Sequence, residues 1–417
     1  MTTGGLQYAG FPGSDGVARP SGPGAWSPTA SSEALWEQTP LQQLQVSSWN
    51  KITYKSIERA DAIGAVVVVT GWNEPMLKYV QVAATLHEAG FSVYLYDHRG
   101  QGLSDRDPIL GPTEQQVAFV GSYDEYVSDL LMLIRTVVPE QHRPVHLLCH
   151  SMGGLVGLSA LAKAPELFCR AVASAPMLET YWGDPPGTPA LVTRILSEVG
   201  CRLGYAKNMV PPPLGGSRGS MIEWSDPNEP IPDTVCLTKD KAKVRWYEAL
   251  RKRNPGIAML GPSFGWIRES LRAQRRFAAA ASKVGTPVLL FTAEEDTFVK
   301  QSGHDMMRKR APDCTHIFVK DVYHELLFEK SDKTKAILDS CIEFYSTGIV
   351  TTPPGSIQIA KDFSDKKAGA LLTSVKVIGL GLGSAVALAF VMSRAGGISG
   401  SLTSGGGGGG SGGGGDR

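Results

Sequence analysis

Between two apolar runs, Val145-His146-Leu147-Leu148 and Leu155-Val156-Gly157-Leu158-Ser159-Ala160-Leu161, the chain reads Cys149-His150-Ser151-Met152-Gly153-Gly154. That order describes a strand, a sharp turn and a helix with a serine at the tip, the arrangement of a nucleophile elbow. Strand and helix approach closely at such a turn, so the positions two before and two after the serine must be small. Gly153 meets the second requirement, with Gly154 beside it, and Cys149 stands at the first, where glycine is usual. A lone Ser-x-Gly also describes an ordinary tight turn, so the flanking segments decide.

Those segments alternate. Ala65-Val66-Val67-Val68-Val69 is a continuous, mostly β-branched run, as expected for a strand buried on both faces. An amphipathic helix over about 77–89 follows, stopped by Gly90, and then the strand Phe91–Tyr96. Tyr123–Val138 reads as a helix and Ala171–Met177 as the strand after the elbow. Pro287–Thr292 and Thr315–Val319 read as the last strands, and a helix over about 333–345 closes the pattern. Ser48–Tyr54 alternates weakly, like an edge strand. Strands alternating with helices predict an α/β fold whose mostly parallel central sheet is covered on both sides. Residues 178–285 break the pattern with Pro-rich loops and helical runs at Ala190–Leu203 and Ser263–Ala281, and read as an inserted, mainly helical cap. The core is then 46–177 and 286–347. Residues 1–45, rich in Gly, Pro, Ser and Thr, read as a disordered arm. A linker (348–367), an apolar segment (368–392) and a Gly/Ser-rich tail (393–417) complete the chain.

Ligands of such sheets bind beyond the carboxyl ends of the strands, where Thr70-Gly71, Asp97 and Ser151 all fall. A serine hydroxyl needs a base, and a histidine base needs a carboxylate to orient it. The order Ser, Asp, His is that of an α/β-hydrolase, and Ser151, Asp296 and His324 fill it, each just after a strand. Glu294 and Glu295 are rival acids; Asp296 is preferred because it begins the loop. His304 and His316 fall in a helix and a strand, so His324 is the candidate base, and His150 is a structural neighbour. The oxyanion of a tetrahedral intermediate needs two backbone N–H groups. Met152, directly after the serine, and Trp72, after Gly71, are the candidates.

With these residues in place, the chain from about 46 to 347 resembles the lysophospholipase and monoacylglycerol lipase group of α/β-hydrolases, with serine aminopeptidase S33-type domains. The matching stretches are Thr70-Gly71 through Lys78-Tyr79, Asp97–Ser104, His150–Gly154, Gly261–Ser270, Ala293–Asp296 and Tyr323–Glu329. The resemblance implies Ser151, Asp296 and His324 as the triad, and Trp72 and Met152 as the oxyanion hole. It implies hydrolysis of a single-acyl glycerolipid with no cofactor. Many relatives carry His-Gly where this chain has Thr70-Gly71, and Gly where it has Cys149. The cap is expected to line an apolar acyl tunnel. Trp182, Leu191, Ile195, Phe264 and Trp266 are candidates for its wall, and equally for plain cap core. Arg268, Arg272, Arg275 and Arg276 either meet a lipid phosphate or form a solvated helix face.

The formal net charge of +1 argues against a nucleic-acid partner. The six cysteines are scattered without metal spacing and read as reduced thiols, and no secretory signal is visible. Ala368–Met392 is almost wholly apolar, broken by Lys376. It reads either as a C-terminal membrane anchor or as a peripheral Gly-rich extension. Lys366 and Lys367 before it, against Arg394 alone after it, predict a cytosol-facing catalytic domain. A membrane surface is thus an expected partner. The alternatives are a peptidase, for which Glu223, Asp226 and Glu229 would have to bind the substrate amine, and a non-catalytic binding protein on the same fold. An epoxide or haloalkane hydrolase would need Asp at the elbow.

Overall fold

The computed structural model describes residues 8–12, 25–107, 116–181, 190–211, 231, 237–351 and 357–359. All lie in a unit spanning Met1–Ala360. The chain enters through helix α1 (Ala30–Gln38), capped by the Thr29 hydroxyl on the Ser32 N–H. Strand β1 (Gln42–Gln45) then pairs antiparallel with β2 (Lys51–Ile57). Two expectations change here. The segment 1–45 was expected to be disordered, but α1 and β1 lie inside it, and Phe11 and Trp36 are buried in the core. Trp36 is packed under the Lys55 ammonium. The buried positions of α1 are only Ser32, Glu33 and Trp36, and β1 is Gln-Gln-Leu-Gln, so neither carries an apolar period. Consequently β2 is not an edge strand; β1 lies outside it.

Strand β3 (Ala65–Val69) is buried at every residue. The helix expected after it divides into a 3-10 turn at Met76–Tyr79 and α2 (Val80–Glu88). Pro75 holds an extended conformation before the turn, and the Asp97 carboxylate takes the N–H of Met76 at 2.7 Å, fixing where the turn starts. Then come β4 (Ser92–Tyr96), the two-residue β5 (Val117–Ala118) and α3 (Tyr123–Val137). A reciprocal Ser122–Glu125 capping box opens α3. Strand β6 (Val145–His150) runs directly into α4 (Ser151–Lys163), followed by β7 (Arg170–Ser174).

The region expected as a cap supplies α5 (Ala190–Arg202), α6 (Lys241–Arg253), β8 (Gly261–Pro262) and α7 (Phe264–Ala280). It is not strand-free: β8 pairs with β5, and single bridges join Thr180 to Val299 and Met209 to Ser263. The sheet resumes with β9 (Val288–Ala293), α8 (Gln301–Arg310), β10 (Cys314–Val319) and α9 (Ser331–Thr347). A last strand, β11 (Ile357–Ile359), falls inside the expected linker and pairs antiparallel with β10.

Among the described residues the main sheet has nine strands, ordered β1-β2-β4-β3-β6-β7-β9-β10-β11. The six strands from β4 to β10 pair in parallel, and the outer pairs are antiparallel. Helix α2 packs with α9, and α3 with α4. From β3 the chain goes to β4 on one side and later to β6 on the other, so a crevice opens at the carboxyl ends of β3 and β6. Among the described residues, Cys149 and Cys341 are buried, Cys169, Cys201 and Cys314 half-buried, and all five are free thiols. No helix among the described residues is long and apolar enough to cross a membrane. The apolar segment 368–392 and the tail 393–417 lie outside them.

Candidate active site

Ser151 is the first residue of α4 and has φ +51°, the left-handed region that side chains rarely occupy. The turn is held in that strained form by close approach. A Cβ on Gly153 would sit 2.3 Å from the carbonyl oxygens of Val69 and Thr70, and one on Gly154 would sit 2.5 Å from Pro176 Cβ. Cys149 fits where glycine is usual because Gly157 faces it, and a Cβ on Gly157 would lie 3.1 Å from the sulfur. The Cys149 thiol donates to the Val172 carbonyl at 3.3 Å.

The loops after β9 and β10 bring the other two residues to the serine. His324 Nδ1 lies 2.7 Å from Asp296 Oδ2, and His324 Nε2 lies 2.8 Å from Ser151 Oγ. An ionised carboxylate only accepts, so Nδ1 carries the proton, and in the neutral ring Nε2 accepts from the serine hydroxyl. The second Asp296 oxygen accepts the N–H groups of Phe298 and Val299 at 2.8 and 2.9 Å. Burial alone would raise the Asp296 pKa, but the His324 charge and these hydrogen bonds hold it below its usual value. Burial alone would likewise lower the His324 pKa; the Asp296 carboxylate beside it outweighs this and lifts it above 6.5. The rivals are engaged elsewhere. Glu294 accepts from the Asp321 N–H, Glu295 pairs with Lys239, and His304 and His316 both bond the Thr292 hydroxyl. His150 bonds the Ser174 carbonyl through Nδ1, and burial drops its pKa to about 4, so it is a neutral neighbour.

Met152 is the second residue of α4, in the first turn, where N–H groups have no intrahelical carbonyl to bond. In the loop after β3, the Gly71 N–H is taken by Glu74 Oε2 at 2.8 Å and the Asn73 N–H by Gln101 Oε1 at 2.7 Å. Trp72 stands between them, its ring 5.7 Å from that of Trp266. Sequence reasoning passed over Glu74, Lys78, Gln101 and Glu325. Glu74 and Lys78 form a buried i,i+4 ion pair at 2.5 Å, and Lys78 meets Glu325 at 2.6 Å. The Glu-x-x-x-Lys spacing and the acid directly after His324 were the available signals.

The tunnel candidates separate. Phe264 and Trp266 are buried, whereas Leu191 and Ile195 are 55% and 51% exposed. Trp182 lies outside the described residues, as do Glu223, Asp226 and Glu229. Arg272 pairs with Glu269 and Glu198, Arg268 with Glu269, and Arg276 with Asp124. Among the described residues no group of three or more His, Cys, Asp or Glu side chains is placed to hold a metal.

The sheet order and the crevice with its strained serine define an α/β-hydrolase. A family model described as serine aminopeptidase, S33, matches residues 60–331, and the chain belongs to that family, in its lysophospholipase and monoacylglycerol lipase group of carboxylic-ester hydrolases. Lysophospholipase L2 of Escherichia coli K12 is 30% identical over 298 residues, covering 67% of this chain and 80% of that one. A probable lysophospholipase L2 of Haemophilus influenzae is 27% identical over 315 residues, covering 74% and 93%. Monoglyceride lipase of Rattus norvegicus is 24% identical over 276 residues, covering 66% and 79%. Among solved structures, a soluble variant of monoglyceride lipase from Saccharomyces cerevisiae has a similar fold. Its TM-score is 0.58 at 16% identity, over 75% of this chain and 96% of that one.

Proposed function

We propose that this chain hydrolyses the acyl ester of a lysophospholipid or monoacylglycerol through a Ser151–His324–Asp296 triad and an acyl-enzyme. The observation that carries the reading is the unbroken hydrogen-bonded line from Ser151 Oγ through both ring nitrogens of His324 to Asp296. Ser151 Oγ attacks the ester carbon and gives its proton to His324 Nε2. The oxyanion that forms is met by the N–H groups of Met152 and Trp72. Collapse breaks the bond to the glycerol-side oxygen, which takes the proton from His324. Water repeats the sequence and releases the fatty acid and Ser151. Asp296 keeps the imidazole in the required tautomer and offsets the charge of the imidazolium.

In this reading residues 46–177 and 286–347 form the catalytic core and 178–285 the cap over it. Trp266, buried beside Trp72, supports an apolar wall near the reacting carbonyl. Leu191, Ile195, Val199 and Leu203 recur every four residues along α5 and just past its end, and all are exposed. This stripe suits the surface of an aggregated lipid, from which a single-acyl substrate is drawn. The apolar sequence 368–392 would add a second attachment to that surface.

The test is fatty-acid release by the full chain from lysophosphatidylcholine and from monoacylglycerol, with an amino-acid arylamide alongside and Ser151→Ala as control. Release from either lipid, absent in the variant, is expected. Arylamide cleavage alone would move the function to peptide chemistry, and no turnover of any substrate would leave a binding protein on this fold.

A further inference from the structure

We propose that Glu74 is a positioning residue for acyl transfer: its buried carboxylate aims the Trp72 N–H at the oxyanion by gripping the neighbouring Gly71. This inference rests on the ester-hydrolase reading above. Three donors fix the carboxylate. Oε2 accepts the Gly71 N–H at 2.8 Å and the Tyr79 hydroxyl at 2.7 Å, and Oε1 accepts the Lys78 ammonium at 2.5 Å. The group cannot rotate without breaking at least one of these bonds. It also dictates the glycine, because a Cβ on residue 71 would fall 2.4 Å from Glu74 Oε2.

On the other side of Trp72, Gln101 holds the Asn73 N–H, and Asn73 has φ +60°. The same Gln101 amide donates to Met152 Sδ at 3.6 Å. The residues flanking one oxyanion donor are therefore pinned from both sides, and one of the pins touches the residue that supplies the other donor. A donor that needs no reorganisation as charge develops is what this kind of catalysis requires.

Stability does not account for the cluster. Glu74, Lys78 and Glu325 are all buried, and burying two acids and one ammonium is weak evidence of stabilisation, since well-packed apolar residues of similar volume often do as well. A bare carboxylate beside the developing oxyanion would oppose the reaction, and Lys78 neutralises it. Lys78 in turn reaches Glu325, the residue after His324, so one ion chain links the oxyanion loop to the base.

The experiment compares the parent chain with Glu74→Ala, Glu74→Gln and Glu74→Asp on the lipid ester that the parent cleaves. The affinity of each for a long-chain alkyl trifluoromethyl ketone is measured alongside, because the hemiketal oxygen of the adduct takes the place of the oxyanion. In Glu74→Ala the kcat is expected to fall by about 100-fold or more with little change in KM, and the ketone affinity by a similar factor. Glu74→Gln keeps an oxygen for the Gly71 N–H and should retain kcat within about tenfold, whereas the shorter Glu74→Asp should not. A folded Glu74→Ala with parental kcat, or one whose kcat falls while ketone affinity stays, overturns the proposal. If the alanine variant does not fold, equal kcat in the Gln and Asp variants overturns it. A parent that releases no fatty acid fails the ester-hydrolase reading itself, which separates the two outcomes.

Discussion

The loop after β3 lies against the elbow after β6, but the two are held by different forces. The elbow after β6 is fixed by exclusion: Gly153 and Gly154 lie against backbone and Pro176 with no room for a methyl group, and nothing charged takes part. The loop after β3 is fixed by ions, through Glu74, Lys78 and Glu325. A contact made by exclusion is indifferent to pH and salt, whereas a buried ion pair depends on which groups carry protons. The candidate site thus joins a part that only a packing change can disturb to a part that a proton can disturb.

The largest effect is expected outside both loops, at the carboxylate that holds His324. Asp296→Asn should lower kcat by about 10⁴-fold while the protein stays folded. In the proposed mechanism His324 acts as base only when neutral, so the parent should lose kcat/KM as pH falls past a point above the ordinary 6.5. Removing the Asp296 charge should move that acid limb to lower pH, as a pH–rate profile of the residual activity would show. A limb that stays in place would mean another group sets it.

Two glycine substitutions then probe the contrast itself. Gly153→Ala pushes a methyl against two backbone carbonyls that cannot retreat, and should cost about 3 kcal/mol or more in denaturant unfolding. Gly71→Ala meets a side-chain carboxylate that can yield by giving up one of its hydrogen bonds rather than a fixed backbone, so it should cost less stability yet more activity per unit of stability lost. Equal stability losses would erase the distinction drawn above.

A third measurement follows thermal stability from pH 6 downward. Burial alone would raise the Glu74 pKa, but Lys78 and His150 and its hydrogen bonds bring it to about 2, below the 4.5 of an unperturbed glutamate. Its contribution is therefore present above pH 4.5 and is lost as pH falls toward 2. Glu325 has the opposite sign: burial and Glu74 raise its pKa, so its share is lost as pH rises through that raised value. Glu74→Gln should flatten the acid side of the curve, whereas Gly153→Ala should shift the whole curve without changing its slope. The smallest effect is at Cys149→Gly. Filling this position with the usual glycine removes a buried side chain and should cost about 1–2 kcal/mol with activity nearly unchanged.

The parallel part of the sheet was legible in the sequence because its strands are short, largely apolar and buried runs, and β3 begins and ends where the run Ala65–Val69 does. That Ser151, Asp296 and His324 come together was legible because each follows a strand in an order that few folds share. The ion-held loop was not. Glu325 lies far along the chain from Glu74 and Lys78, and nothing local marks three charged residues as buried together. Helix α5 misled in the other direction: Leu191 and Ile195 repeat at a helical spacing that normally means core, but their face is exposed. The N-terminal segment was hidden by its composition. Tyr8 donates to Asp97, the carboxylate that starts the turn before α2, yet a lone tyrosine among glycines and prolines carries no periodic signal.

The short outer strands matter for what the sheet does not do. β1 and β11 are four and three residues long, and β1 presents mostly exposed glutamines, a poor template for another chain. A version of the protein started at Val46, where composition alone would place the boundary, lacks β1 and leaves the edge of β2 unpaired. Residues Ile52–Lys55 on that strand are buried in the intact chain. Such a trimmed protein gains a longer, stickier border, and its expected failure is edge-to-edge aggregation.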